Sequence, residues 1–302
     1  MRKAFCQSLL AHAENERFVF LTGDLGYNAL EPLQSVMGQR FINAGVAEQN
    51  MVSVAAGLAR NGFRSWVYSI ASFMYARPFE HIRNDICMHN LPVVVVGNGG
   101  GYGYGVMGGT HHALEDYGIL LTLPELKVWV PAFDADLPLV VQELFESKSP
   151  SYLRLGLGEE PKGFAPPPFA GWRKLTSGDG ATIVAVGPLA GSLWLDCSEQ
   201  NVESRPNLWC LGKLPLDPLP QTLLDEIRET GTLVVAEEHV VQGSAASLLA
   251  MALIQAKCVP ERFIVRTALG YPSRKYGSQK FHRAECGMDP ASILEAVRMP
   301  LL

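Results

Sequence analysis

Pro92-Val93-Val94-Val95-Val96-Gly97 is an unbroken β-branched run framed by a proline and a glycine. It lacks the polar–apolar alternation of a half-exposed strand, so neither face is meant for water. A strand buried on both sides belongs to a parallel sheet covered by helices. The flanking chain agrees. Upstream, the patterning predicts a helix over 2–15 and strands over 18–22, 40–44 and 65–70. An alanine-rich helix over 47–60 is stopped by Asn61-Gly62, and a helix over 73–89 is kinked or started by Pro78. Downstream come a glycine-rich loop over 97–109, helices over 113–121 and 137–147, and strands over 127–130 and 152–155. Alternating helices and strands call for α/β architecture with a mainly parallel sheet.

The rhythm stops over 156–172, where Pro161, Pro166, Pro167 and Pro168 leave little periodicity. It resumes with strands over 181–186, 207–210, 232–236 and 263–266, alternating with helices over 190–200, 219–229, 244–256 and 291–297. The expectation is two doubly wound, mainly parallel-sheet α/β domains, at 1–160 and 175–302, joined by a linker at 161–174. The length of 302 residues supports two domains, and 48% hydrophobic against 18% charged residues supports a large core.

Lys plus Arg number 25 against 30 for Asp plus Glu, with no basic run, which excludes a nucleic-acid footprint and attachment to anionic lipid. No apolar stretch approaches the ~20 residues of a membrane helix. Met1-Arg2-Lys3 runs into Ala4-Phe5-Cys6-Gln7-Ser8 without a signal-peptide core, so the expected compartment is the cytoplasm. The six cysteines (Cys6, Cys87, Cys197, Cys210, Cys258, Cys286) are widely spaced and read as buried free thiols rather than a disulfide framework or zinc site.

Gly103-Tyr104-Gly105-Val106-Met107-Gly108 has the letters G-x-G-x-x-G. A dinucleotide fold requires the last glycine in the first turn of a helix and an acid closing the next strand. Thr110-His111-His112 follows instead, and Lys127-Val128-Trp129-Val130-Pro131-Ala132 carries no acid. The loop is therefore either a mobile surface loop or one that brings backbone close to a ligand.

Five pieces carry more chemistry: Thr22-Gly23-Asp24-Leu25-Gly26, Asn43-Ala44-Gly45-Val46-Ala47-Glu48-Gln49-Asn50, Ala71-Ser72-Phe73, Gly109-Thr110-His111-His112 and Tyr152-Leu153-Arg154-Leu155-Gly156. Taken singly, each has a plain reading. Glu48 opens an apolar helix as a capping or dipole residue, although burial penalises its charge. Phe73 is core, Asp24 forms a turn, His111 is a surface residue and Arg154 sits in a buried ion pair. In this order and at these intervals, however, the pieces closely resemble the pyrimidine-binding domain of transketolase-like thiamine diphosphate enzymes. The chain beyond the linker, with Val235-Ala236-Glu237-Glu238-His239 and Gly243, resembles their C-terminal domain.

That resemblance implies specific roles. Glu48 is the carboxyl group bonded to the cofactor's aminopyrimidine; sharing a proton with the ring nitrogen lets the exocyclic amine act as a base toward the thiazolium carbon. Phe73 stacks on the aminopyrimidine, Tyr75 and Phe79 are further walls, and Asp24 lies near the thiazolium. His111 contacts donor-sugar oxygens and moves protons. His112, where the commoner pattern has Gln, is a second substrate contact, and Arg154 holds a sugar phosphate. No metal ligand falls in this chain.

There are departures from the family pattern. Met107 stands where transketolases and deoxyxylulose-phosphate synthases have an Asp, and Gly99 where transketolase has another substrate histidine. Both point to a roomier, less polar pocket and an altered ketose. The resemblance begins at the pyrimidine-binding domain, so the diphosphate-binding domain of full-length relatives is expected on another chain. Gly178-Asp179-Gly180 has the letters of its metal motif, but Asn201 and Asn207 follow at the wrong spacing, so it reads as a turn. The resemblance thus implies a two-chain enzyme that transfers a two-carbon ketol unit from a ketose to an aldehyde. An N-terminal diphosphate-binding subunit would supply the Mg²⁺ site, in an α2β2 heterotetramer. The alternatives are the beta subunit of a 2-oxo-acid dehydrogenase or a deoxyxylulose-phosphate-synthase-like enzyme. A nucleotide-linked oxidoreductase is disfavoured by the missing acid, and a non-catalytic scaffold by the presence of Glu48 and Phe73.

Overall fold

The computed structural model describes residues 1–158, 161 and 163–298. Residues 159, 160 and 162, at the expected domain junction, and 299–302, at the end of the expected second domain, lie outside the described residues.

The first half forms a parallel sheet from β1 (Phe18–Thr22), β2 (Phe41–Asn43), β3 (Arg64–Ile70), β4 (Val94–Asn98), β5 (Lys127–Trp129) and β6 (Ser151–Leu155), in the order β5-β6-β4-β3-β1-β2. The β-branched run supplies β4 at the middle: Val94 lies opposite Trp66 on one side and Ser151 on the other, and the whole strand is buried. The second half supplies β7 (Trp172–Thr176), β8 (Thr182–Val186), β9 (Asn207–Leu211), β10 (Lys213–Leu214), β11 (Thr232–Ala236) and β12 (Arg262–Arg266). Five of these make a second sheet in the order β12-β11-β8-β9-β7. The sixth, β10, crosses to the first sheet and pairs antiparallel with β5, Lys213 facing Trp129.

The helices are α1 (Arg2–Leu10), α2 (Glu31–Met37), α3 (Glu48–Arg60), α4 (Ala71–Ala76), α5 (Phe79–His81), α6 (Asp116–Leu120), α7 (Leu137–Glu146), α8 (Leu189–Ser198), α9 (Gln221–Thr230), α10 (Ala245–Gln255), α11 (Gln279–Glu285) and α12 (Pro290–Arg298). They cover both faces of both sheets. On one face of the first, Val67 and Val95 pack with Met51, Val52 and Ala55 of α3; on the other, Trp66, Tyr68 and Val94 pack with Phe5 and Leu9 of α1 and Phe145 of α7. In the second sheet, Ile183 and Val234 pack with Leu189, Leu193 and Ile293, while Val184 and Val235 join the same apolar cluster as Val67 and Val95. The six cysteines are all free and buried, as read from their spacing. No helix among the described residues is long and apolar enough to cross a membrane.

Three local readings need correction. The expected linker ends earlier, because β7 begins at Trp172 and pairs antiparallel with β9 around a bulge between Lys174 and Thr176. Its Arg173 and Lys174 hide it from a search for apolar runs, but a sheet-edge strand tolerates charge. The helix expected over 73–89 is broken at Pro78, which lacks an amide donor, into α4, α5 and a π turn over Ile82–Cys87. The short helices α2 and α11 carry too few apolar repeats to stand out.

Candidate functional site

The parallel strands of the first sheet all end at one edge, and the segments that follow β1, β2, β3 and β4 place Asp24, Glu48 at the start of α3, Phe73 in α4 and His111 there. The carboxyl edge of a parallel sheet is where such folds bind ligands. Glu48 is the first residue of α3 and is only 4% exposed. The helix amides favour its negative charge. Ser69 Oγ donates to its Oε1 at 3.1 Å and Arg77 Nη1 to its Oε2 at 2.9 Å. Phe73 lies half-buried in α4, four residues before Arg77, which caps the helix on the same side. The Arg77 guanidinium therefore lies over the Phe73 ring, 3.7 Å from its centre, while bonding Glu48. A flat group bearing N–H donors thus fits between the Phe73 ring and the Glu48 carboxylate.

His111, partly exposed, bonds Thr110 Oγ1 through Nδ1 at 2.9 Å and brings its ring within 5.2 Å of Phe73. Ser72 Oγ donates to Thr110 O at 3.2 Å, tying the start of α4 to the histidine loop. Asp24 is exposed; its Oδ1 accepts from Asn43 Nδ2 at 3.0 Å and Tyr27 Oη at 3.3 Å, bracing the loops after β1 and β2. Glu48, Phe73 and His111 are thus brought together, with Asp24 farther along the same rim. Met107 is 54% exposed, in a single 3-10 turn.

Three expected site residues are placed elsewhere. Arg154 is buried: its Nε donates to Asp116 Oδ2 at 2.8 Å, and Nη2 donates to Ala113 O and Glu238 O at 2.9 Å each. Tyr152 donates to the same Asp116 oxygen. This is an ion pair bridging the two halves, not a holder of substrate phosphate. His112 is also buried. Its Nε2 donates to Gly105 O at 2.8 Å, so Nδ1 is the acceptor for Tyr271 Oη at 2.8 Å. With both nitrogens engaged, His112 fastens its loop to the second half instead of touching substrate. Tyr75 donates its hydroxyl to Glu115 at 2.8 Å from inside the core, and burial pushes its phenol pKa up, so it backs the loop rather than lining the rim.

The motif around Glu237 is likewise structural: Tyr117 Oη and the amides of Ala245 and Ala246 at the start of α10 donate to its buried carboxylate. Gly178-Asp179-Gly180 is a turn closed on Val202 O and Arg205 O.

One feature escaped the sequence reading. A cavity of about 420 Å³ opens between the start of α1 and the ends of β4 and β6, lined by Arg2, Lys3, Asn98, Gly99, Tyr104 and Leu157 among others. Tyr104 borders both this cavity and the site, its ring 5.7 Å from that of His111. The only sequence signals were the Arg2-Lys3 pair, which bears on targeting as much as on binding, and a tyrosine inside a misleading glycine motif. A cavity of about 460 Å³ beside Gly191, Ser192 and Arg283 lies in the second half, apart from these residues.

Residues 1–159 match the family described as transketolase, pyrimidine binding domain. The chain is 28% identical to one subunit of the apulose-4-phosphate transketolase of Phocaeicola vulgatus, over 97% of this chain and 94% of that protein. It is 31% identical to 1-deoxy-D-xylulose-5-phosphate synthase 2 of Geobacter sulfurreducens, over 94% of this chain but only 46% of the synthase, so it spans under half of that relative. Among solved structures it is similar to a split-gene transketolase in the form of an inactive beta4 tetramer, at 28% identity, TM-score 0.83, covering 98% of this chain and 96% of the other. A transketolase from Leishmania mexicana shares the fold at 18% identity and TM-score 0.75, covering 98% of this chain and 44% of that one. With more than half of its residues inside the family match, the chain belongs to the transketolase pyrimidine-binding family.

Proposed function

We propose that this chain is the pyrimidine-binding subunit of a two-chain, thiamine diphosphate-dependent transketolase-like enzyme that moves a two-carbon ketol unit from a ketose to an aldehyde. The observation that carries this reading is the Glu48–Arg77–Phe73 arrangement: a buried carboxylate and an aromatic face aimed at one flat, N–H-bearing group. Thiamine diphosphate, when bound, supplies an electron sink at its thiazolium carbon. Glu48 holds a proton at the pyrimidine ring nitrogen, its carboxylate kept in place by Ser69. Phe73 orients the ring by stacking once Arg77, whose side chain is 40% exposed, swings off its face. His111, beside Phe73, exchanges protons with the donor's oxygens, and the loop held by His112 screens them from water.

The diphosphate and its Mg²⁺ belong, on this reading, to a partner subunit, in an α2β2 assembly. The relative from Phocaeicola vulgatus is itself named as one subunit of its transketolase, and the split-gene transketolase tetramer made of beta chains alone is inactive; both support the need for a second chain. Arg2 and Lys3 in the cavity beyond His111 support a donor with an anionic end, and the exposed thioether of Met107 supports an altered ketose. A deoxyxylulose-phosphate-synthase-like activity is the second reading, supported by a synthase relative at 31% identity. Mixing this chain with a diphosphate-binding transketolase subunit tests both. We expect calorimetry to show cofactor affinity, and assays to show ketol transfer, only in the mixture. Tight Mg²⁺-dependent binding and turnover by this chain alone would overturn the two-chain proposal. Decarboxylation of a 2-oxo acid donor in place of ketose cleavage would favour the synthase.

A further inference from the structure

We propose that Tyr104 is a specificity-determining residue of this enzyme, donating its phenolic proton to the anionic end of the substrate. The inference rests on the ketol-transfer reading above, and concerns the side of the site beyond His111. Three rings stand in sequence along the rim, Phe73, His111 and Tyr104, at centroid spacings of 5.2 and 5.7 Å. Past the last of them opens the cavity lined by Arg2 and Lys3. A ligand whose reacting carbon lies by Phe73 and whose tail extends past His111 therefore reaches Tyr104 together with two cationic side chains.

Tyr104 has a hydrogen-bonding capacity that the protein does not use. Asn98, buried at the end of β4, donates its Nδ2 to Tyr104 Oη at 2.7 Å. That bond takes a lone pair of the oxygen, fixes the phenol and leaves its own proton to give. No acceptor for that proton is found among the described residues. Partial burial holds the phenol above its ordinary pKa, against the opposing pull of Asn98 and Arg2, so at neutral pH it is a donor. Asp134, the acid in the same lining, is paired with the N-terminal amine at 2.7 Å, so a preorganised donor beside the two further cations suits an oxygen that bears negative charge, as in a phosphomonoester or a carboxylate.

Gly99 explains how the ring comes to stand there. Its φ is +74°, and a Cβ built on it would lie 2.2 Å from Tyr104 Cε2 and 2.5 Å from Cδ2. No other residue type at 99 leaves the phenol in place. Glycine at 99 and tyrosine at 104 are thus one device: the space of a side chain just beyond the strand end is filled from five residues on by a ring carrying a hydroxyl.

The test uses the assembled two-subunit complex with Tyr104→Phe, which keeps the ring and removes only the donor. With a phosphorylated ketose, kcat/KM should fall about 10- to 100-fold, chiefly through KM, the scale of one lost hydrogen bond to a charged group. With the same ketose lacking its phosphate it should change less than about threefold, a loss well below that of such a bond. Gly99→Ala, which keeps the tyrosine but pushes its ring aside, should reproduce that pattern. Independently of turnover, inorganic phosphate titrated calorimetrically onto the complex should bind more weakly to Tyr104→Phe than to the unaltered protein. Equal losses on the phosphorylated and unphosphorylated donors, or unchanged phosphate affinity, would overturn the assignment. If the unaltered complex transfers no ketol unit, the functional reading falls, and the phosphate titration still decides whether Tyr104 holds an anion.

Discussion

Glu48 and Arg154 are both buried charges, and their partners separate their roles. The cation on Glu48 belongs to Arg77, whose side chain keeps 40% of its surface exposed and can leave; the anion on Arg154 belongs to Asp116, which is wholly buried. A removable partner makes Glu48 available to a ligand, whereas an interior one makes Arg154 structural. Glu48→Gln preserves shape and the acceptor for Ser69 but cannot share a proton with a ring nitrogen. We expect near-unchanged thermal stability and a drop of at least about a hundredfold in hydrogen–deuterium exchange at the thiazolium carbon in the reconstituted complex, the scale of positioned acid–base catalysis. Exchange at the unaltered rate would remove Glu48 from this role.

At the scale of elements, the loop that leaves β4 carries Tyr104, His111 and His112 and has almost no regular structure. Contacts with the second half hold it: His112 on Tyr271, and Tyr102 Oη on Gly270 O at 2.7 Å. Burial lowers the pKa of His112 and of its neighbour His282 below the ordinary 6.5. The folded chain therefore keeps them neutral, while the unfolded chain takes up protons below that pH. Their contribution to stability is complete above about pH 6.5 and is lost as pH falls toward the depressed folded values. The melting temperature should fall between pH 7.5 and 5.5, and more steeply in the unaltered chain than in His112→Gln. A glutamine can donate to Gly105 O and accept from Tyr271 without titrating. Equal slopes in differential scanning calorimetry would show that His112 is not the titrating lock.

At the scale of the whole molecule, charges and a strand stitch the two sheets together. Arg154 reaches from Asp116 to Glu238 O, Arg173 on β7 grips both oxygens of Asp136 at 2.6 and 2.8 Å, and β10 joins the first sheet. Within the second half, Arg283 of α11 holds the carboxylate of Glu238, whose carbonyl Arg154 reaches, at 2.5 Å. Removing Arg154 leaves Asp116 charged and interior, its Oδ1 already without a partner. Arg154→Met should cost about 3–5 kcal/mol in chemical denaturation, with much of the loss restored when Asp116→Asn is added. Undiminished stability with a selective loss of affinity for phosphorylated donors would return Arg154 to substrate binding.

The sequence alone determined what depends on near neighbours. An unbroken β-branched run made β4 central, alternating periods made an α/β protein, and the pieces around Asp24, Glu48, Phe73 and His111 were readable because each lies where a strand hands over to a loop or helix. Folding in three dimensions set what depends on distant partners. It put the cation of Arg77 on Glu48, assigned Arg154 and His112 to bracing, carried β10 from the second half into the first sheet and stood Tyr104 beside Arg2. A side chain's role follows from the charges and donors that face it when buried. For His112 that partner is Tyr271, 159 residues along the chain, beyond the reach of any local pattern.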